Sequence, residues 1–367
     1  MFNLLTWFQL NFKEHTKMMK KITHHFDEDN LNSYHLEGSI WTHTMLVYMR
    51  ALMFSNKNEV HIAALLHDLG KPYTMERNED NKKVSFYSHE QVSTFLAIEV
   101  LNKLEKDVPN YKFNKIKVLK LINWHSDFHK FMELEIKEYG LLRKKDIVFL
   151  REKYLFENLF EDMYALNRAD SYGRFMKEEN IEYKEKMFKK IKEEYEDRVK
   201  YTNNEKENYN KNKKLLTILT GMPNSGKSSY LNNIDKDTIV ISTDKYIEEL
   251  HPDKSYDEIY SLLKDEDFKE IDKKLNKEFI KAVRSDKNII IDRTNMSKKS
   301  RRRWNVSKKK YEVKIVCFLI EEKELKKRNE KRKKEGKTIS DETMFMMSKR
   351  LSVPGYDETN NIEYIFN

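Results

Sequence analysis

Eight consecutive residues, Gly221-Met222-Pro223-Asn224-Ser225-Gly226-Lys227-Ser228, have the spacing G-x-x-x-x-G-K-[ST], that of a loop which wraps phosphate. Its glycines let backbone N–H groups approach phosphate oxygens closely. Lys227 would place a charge at the β/γ-phosphates, and Ser228 would turn a hydroxyl to Mg²⁺. Nucleotide contacts are therefore expected at Gly221, Asn224, Ser225, Gly226, Lys227, Ser228 and Ser229. A second group of residues implies metal chemistry. His67 and Asp68 are adjacent at the end of an apolar stretch. Adjacent side chains on a helix diverge by about 100°, so one should face the core, where an unpaired charge is expensive. A metal between them resolves that cost. Further candidates are His43, His89, His125 and Asp170, with Asp162 and Asp127 competing for the last place. Imidazole and carboxylate together suit Mn, Fe, Co, Ni or Zn better than Ca. His24, His25, His35, His61, His129 and His251 fall outside this pattern and read as solvated or core histidines.

The elements that must carry these groups differ between the two halves. Up to about residue 200 the period is helical: Thr42–Phe54, Glu59–Leu69, Glu90–Leu104, Phe113–Trp124 and Lys145–Tyr172 place apolar residues three and four apart. Lys83–Tyr87 alone suggests an extended piece, after a polar turn at Arg77–Lys82, and Met176–Lys200 reads as a charged helix. Residues 201–214 are polar and nearly free of aliphatic side chains, which makes them the expected linker. From 215 onward, apolar runs at Leu215–Thr220, Thr238–Ile241, Asn288–Ile291, Val313–Ile320 and Ile362–Phe366 alternate with helical stretches. That alternation predicts a parallel sheet with covering helices. The expected fold is an all-α domain over 1–200, then an α/β domain over 215–367 whose phosphate loop follows the first strand.

Composition agrees with two domains. The 367 residues are 39% hydrophobic and 36% charged, with only 8 Gly and 5 Pro, which favours long helices. A net charge of +9 suits a polyanionic partner such as nucleic acid, or equally a set of solvated Lys-rich helix faces. A single cysteine, Cys317, excludes an internal disulfide and sits in an apolar run, as a buried inert thiol would. No signal peptide and no membrane-length apolar run is visible, so the expected location is cytoplasmic.

His43, His67-Asp68 followed by Gly-Lys-Pro, His89, His125 and Asp170 together resemble the HD-domain phosphohydrolases, in the branch with a two-metal site. The resemblance covers roughly residues 35–175. It implies one metal held by His43, His67, Asp68 and Asp170, and a second held by His89 and His125 with Asp68 bridging. Two such metals activate a water and neutralise the phosphate under attack. Lys71 would help to hold that phosphate.

The second half resembles the 5′-hydroxyl polynucleotide kinases of nucleic-acid repair over about 213–357. The motifs are the phosphate loop, Thr243-Asp244-Lys245-Tyr246, Asp292-Arg293-Thr294-Asn295 with the arginines Arg301–Arg303, Lys327-Arg328-Asn329 through Arg332, and Pro354-Gly355-Tyr356-Asp357. The resemblance implies that Asp244 is the general base on the acceptor hydroxyl. Asp292, Arg293, Asn295 and Arg302 would line the acceptor site, and Arg328 and Arg332 would close over the triphosphate. One departure stands out: where that family has Arg three residues after the catalytic Asp, this chain has Ile247. Either Lys245, Arg293 or a basic residue elsewhere takes over its grip on the acceptor, or that grip is weaker.

Joined in this order, the halves resemble bifunctional HD–kinase end-healing enzymes. That implies ATP or another NTP with Mg, two transition metals in the HD domain, RNA or DNA ends as substrates, and a ligase on another chain. The alternative is an HD nucleotidase fused to a nucleoside or metabolite kinase.

Overall fold

In a computed structural model the chain divides into two compact units, residues 1–205 and 206–367. The structure describes residues 2–136, 157–175, 181–186, 188–189, 192–193, 213–250, 258–259, 262–304, 306, 310–333 and 338–367. The expected linker up to residue 212, and residues 145–156 of the expected helix Lys145–Tyr172, lie outside these.

The first unit is helical. Its elements are α1 (Leu4–Asn11), α2 (Lys13–Lys21), α3 (Ile40–Phe54), α4 (Asn58–Leu66), the single turn α5 (Lys71–Thr74), α6 (His89–Asp107), α7 (Lys115–Ile136) and α8 (Phe160–Tyr172). A hairpin, β1 (Glu76–Asn78) and β2 (Lys83–Ser85), separates α5 from α6. The turn expected at Arg77–Lys82 therefore begins later, because Arg77 and Asn78 pair with Val84 and Lys83. Asn78 Oδ1 then accepts the N–H groups of Asp80 and Asn81, which turns the chain.

Ser39 caps α3 by accepting the Thr42 N–H at 3.1 Å. Burial along α3 follows the helical period through Ile40, His43, Thr44, Val47 and Ala51, so His43 points inward with the core residues. α3 packs against α4 and α8, and α6 against α7. α4 stops at Leu66, short of the expected Leu69. Leu69 N–H bonds to Leu66 O, and Lys71 N–H to Asp68 O. These three-residue closures tighten the chain into a turn at 67–70.

The second unit is a five-stranded sheet in the order β4-β5-β3-β6-β7, every pair parallel. Its strands are β3 (Lys214–Thr220), β4 (Ile239–Ser242), β5 (Ile289–Asp292), β6 (Tyr311–Leu319) and β7 (Asn361–Phe366). Its helices are α9 (Lys227–Leu231), α10 (Thr243–Leu250), α11 (Asp265–Arg284), α12 (Lys298–Arg302), α13 (Glu322–Arg332) and α14 (Asp341–Ser348). Strand side chains alternate between two cores. Ile289 and Ile291 join Ile271, Leu275 and Phe279 of α11, while Ile290 joins Leu219, Val316 and Phe318 on the other face. A sheet buried on both faces explains the unbroken apolar runs in sequence. Among the described residues, no helix is long and apolar enough to cross a membrane.

Candidate functional site

The turn after α4 presents both His67 and Asp68 inward, each 1% exposed. Gly70 makes that possible. A side chain there would meet the His89 carbonyl oxygen at 2.5 Å and the Ser93 amide nitrogen at 2.6 Å, so only glycine lets the turn lie against the start of α6. Asp68 then stands between two sets of histidines. Its Oδ2 lies 3.5 Å from His43 Nε2 and 3.3 Å from His67 Nε2, and its Oδ1 lies 3.5 Å from His89 Nε2. Asp170 Oδ1, from α8, is 3.0 Å from His43 Nε2 and 3.9 Å from His67 Nε2. Two metal-sized groupings result: His43, His67 and Asp170, and Asp68, His89 and His125. Asp162 is buried elsewhere, paired with Lys57 at 2.6 Å and Lys117 at 2.5 Å. The side chains of Asp127 and His129, and residue His251, lie outside the described residues.

The donor set fits a cation. His67, His89 and His125 each donate Nδ1–H to a carbonyl three residues earlier, those of Ala64, Phe86 and Ile122, at 2.7 to 2.9 Å. Each Nε2 is thereby left as a lone pair. His67 Nε2 and His43 Nε2 are buried without hydrogen-bond partners, which polar atoms inside proteins seldom are. Burial alone would raise Asp68, but His67 and Lys71 hold its carboxyl well below the ordinary range. Burial, with His67 and His89 nearby, pushes His125 down to about 3. Both shifts favour the deprotonated forms that ligate metals, whereas at His43 burial is outweighed by Asp170 and Glu37, which raise it.

The cluster opens into a cavity of about 580 Å³, lined also by Lys71, Arg174, Phe86, Tyr87, His24 and His35. Lys71 Nζ reaches Asp68 Oδ2 at 2.7 Å. Arg174 holds Asp170 with two bonds, Nη2 to Oδ2 at 2.6 Å and Nε to Oδ1 at 3.3 Å. Sequence reasoning missed Arg174, although its place four residues after Asp170 is a helical pairing distance. It also left His24 and His35 as background; both are buried here and form part of the cavity wall. They lie in an irregular stretch between α2 and α3, where no period marks the inward face.

In the second unit, three neighbouring strands end together. The phosphate loop follows β3, Asp244 opens the helix after β4, and Asp292 ends β5 with Ser242 as its register partner. Their charges act on one another: burial lowers Lys227 to about 8 against the pull of Asp292 and Asp244, and burial raises Asp292. Gly226 takes φ +104, a conformation open to glycine at little cost. Lys227 Nζ donates to the carbonyls of Gly221 at 3.0 Å and Met222 at 2.7 Å. Ser225 is buried, whereas Ser228 and Ser229 are exposed. α13 brings both arginines to the loop: Arg328 Nη1 donates to Asn224 O at 3.3 Å, and Arg332 Nη1 bonds Asn224 Oδ1.

Other residues serve the scaffold. Asn295 is buried; its amide donates to Leu219 O at 2.9 Å and accepts from Trp304 Nε1 at 3.2 Å, so it has little left for an acceptor. Arg301 is buried in a two-bond pair with Glu358, at 2.8 and 2.7 Å, and Lys298 pairs with Asp357. The Pro354–Asp357 stretch is thus clasped to α12. Arg302 is exposed. Ile247 lies in the core. Arg293 shares Asp272 with Arg303, at 3.2 and 2.9 Å, while Lys245 lies 3.8 Å from Glu278.

Residues 40–152 match the HD domain family and residues 216–354 match an AAA domain family. A multifunctional CCA protein from Teredinibacter turnerae (strain ATCC 39867 / T7901) is 30% identical over 121 residues, 33% of this chain. This chain spans 28% of that relative's length. A chain in the structure of the Pnkp1/Rnl/Hen1 RNA repair complex is 23% identical over 39% of this chain and 46% of its own, with a TM-score of 0.34.

Proposed function

We propose, from a chain that joins an HD phosphohydrolase domain to a P-loop kinase-like domain, that the protein heals broken nucleic-acid ends, those of RNA first. The P-loop half transfers phosphate from ATP or another NTP to a 5′-hydroxyl. The HD half removes a 2′- or 3′-phosphate, or opens a 2′,3′-cyclic phosphate. A ligase on a separate chain then has ends it can seal.

The observation that supports this reading is that each unit gathers groups suited to its step. In the first, Asp68 faces both histidine sets, with Lys71 and Arg174 on the cavity wall. His43, His67, Asp68 and Asp170 would hold one transition metal, and His89 and His125, with Asp68, the other. Bound cations would supply an activated water and offset the charge of the phosphate. Lys71 and Arg174 hold the phosphate oxygens and orient the scissile bond. In the second unit, Asp244 takes the acceptor's proton, and Asp292, Arg293 and Arg302 line the approach of the nucleic-acid end. Arg328 and Arg332 already touch the loop that would cradle the triphosphate, and Lys227 turns its donors to the β/γ-phosphates. The basic net charge favours a polyanionic acceptor.

Phosphate transfer from ATP to a 5′-hydroxyl oligoribonucleotide, compared with transfer to free nucleosides, tests the acceptor class. The oligonucleotide should be preferred. Preference for nucleosides would favour a nucleotidase joined to a small-molecule kinase.

A further inference from the structure

Beside the HD cluster, His24, His35 and Glu37 are buried and bring one potential ligand atom each within 4.8 Å of the others. Spacing alone would make them a third metal site. The hydrogen-bond inventory points elsewhere. Lys71 Nζ lies 2.7 Å from Asp68 Oδ2 and 3.0 Å from His24 Nε2. An ammonium has protons and no lone pair, so His24 Nε2 must be the acceptor and its proton sits on Nδ1. The His24 lone pair is then taken up by Lys71, and its Nδ1 is buried without a hydrogen-bond partner. Glu37 is also committed. Its Oε1 is 2.8 Å from His35 Nδ1 and 3.0 Å from His43 Nδ1, and its Oε2 accepts the Phe175 N–H at 3.0 Å. A further cation here would also face Lys71 and Arg174.

The same contacts form a branched support. One arm runs from Glu37 to His43, a member of the metal cluster, as a 3.0 Å charge contact at an Nδ1 that makes no hydrogen bond. Three of the cluster's histidines are oriented by backbone carbonyls, whereas His43 has a carboxylate at its Nδ1. The other arm runs from Glu37 to His35, which stacks on His24 with ring centroids 3.9 Å apart and planes 9° apart. His24 in turn accepts from Lys71. With Asp68 and His24 each taking one proton of Lys71, the third N–H is left for the cavity that Lys71 lines.

We propose that Glu37, His35 and His24 are positioning residues that hold both halves of the phosphohydrolase site: Glu37 orients His43 for the metal, and the stacked histidines aim Lys71 at the substrate's phosphoryl group. This rests on the phosphohydrolase reading of the first unit. Carboxylates that orient a metal-ligating histidine in this way are worth about 10- to 100-fold in metal affinity.

The test uses the full chain, stripped of metal. Mn²⁺ binding is followed by calorimetry, and hydrolysis of p-nitrophenyl phosphate is followed at saturating Mn²⁺, with melting curves to confirm folding. Glu37→Gln should weaken Mn²⁺ binding about 10- to 100-fold at unchanged stoichiometry. His24→Ala should leave Mn²⁺ binding unchanged and raise KM about tenfold, as expected for a misplaced charge-assisted hydrogen bond. His24→Gln, whose amide oxygen can still accept from Lys71, should recover most of that loss. If His24→Ala removes one equivalent of Mn²⁺, the cluster is a metal site and the proposal fails. Hydrolysis with KM unchanged in His24→Ala also overturns it. A wild-type chain that binds no Mn²⁺ overturns the phosphohydrolase reading itself, and the proposal with it.

Discussion

The helical unit and the sheet unit gather reactive groups by opposite means. In the first, His43, Asp68, His89, His125 and Asp170 come from α3, the turn after α4, α6, α7 and α8, and most are buried beyond the reach of water. Each would cost free energy there without a partner. The site exists only when the helices pack, and the cavity it faces is closed round with imidazole, carboxylate, Lys71 and Arg174. In the second, parallel strands all end on the same side of the sheet. The loop after β3, Asp244 after β4 and Asp292 on β5 are neighbours because the strands are. Asp244 is exposed there, which suits the proposed role of a base that meets a macromolecular acceptor. On the proposed function, burial serves tight chemistry on a phosphate, and an open sheet end serves a large acceptor.

Removing the carboxylate between the histidine sets should break one side of this contrast and spare the other. Asp68→Ala is expected to abolish end-dephosphorylation while phosphate transfer from ATP persists, both followed on labelled oligonucleotides. Loss of both activities in a folded protein would mean that the sites are not independent. On the other side, Asp244→Asn should slow single-turnover transfer by about 10²- to 10⁴-fold, the usual range for a general base, with ATP affinity kept. Lys227→Ala should instead weaken nucleotide binding in a titration.

The next expected effect is on stability. Arg301 and Glu358 form a buried two-bond pair, so Arg301→Ala should destabilise the sheet unit by about 3–5 kcal/mol in urea unfolding. The exposed neighbour should matter far less: Arg302→Ala should stay within about 0.5 kcal/mol. Equal losses would mean that α12 is not clasped as described. Among the effects on activity, the smallest is expected at the rim of the HD cavity, where Tyr87 is 71% exposed. As a stacking platform for a base, it should contribute about 1–3 kcal/mol. Tyr87→Ala should therefore raise KM for a nucleoside 3′-phosphate and leave p-nitrophenyl phosphate unaffected. An equal rise for both would assign Tyr87 to the cavity's shape.

The contrast also explains what could be read without coordinates. The phosphate loop is contiguous, and its strand and helix flank it in sequence, so its chemistry is local. The five apolar runs became the five strands within a few residues because a doubly covered sheet leaves no polar face. His67 and Asp68 were legible because a paired His-Asp at the end of an apolar stretch needs an explanation. Glu37, His35 and His24 were not, because the stretch between α2 and α3 has neither period, and tertiary contacts alone decide what faces inward. Asn295 shows the reverse: its amide bonds Leu219 and Trp304, a commitment that its place near Asp292 in sequence does not reveal.

One measurement bears most directly on the account. An RNA carrying a 5′-hydroxyl at one end and a 2′,3′-cyclic phosphate at the other is incubated with ATP, Mg²⁺ and Mn²⁺ and the wild-type chain, Asp68→Ala or Lys227→Ala. Wild type should convert both ends, Asp68→Ala only the 5′ end, and Lys227→Ala only the cyclic end. A wild-type chain that leaves both RNA ends untouched while phosphorylating free nucleosides would contradict the account.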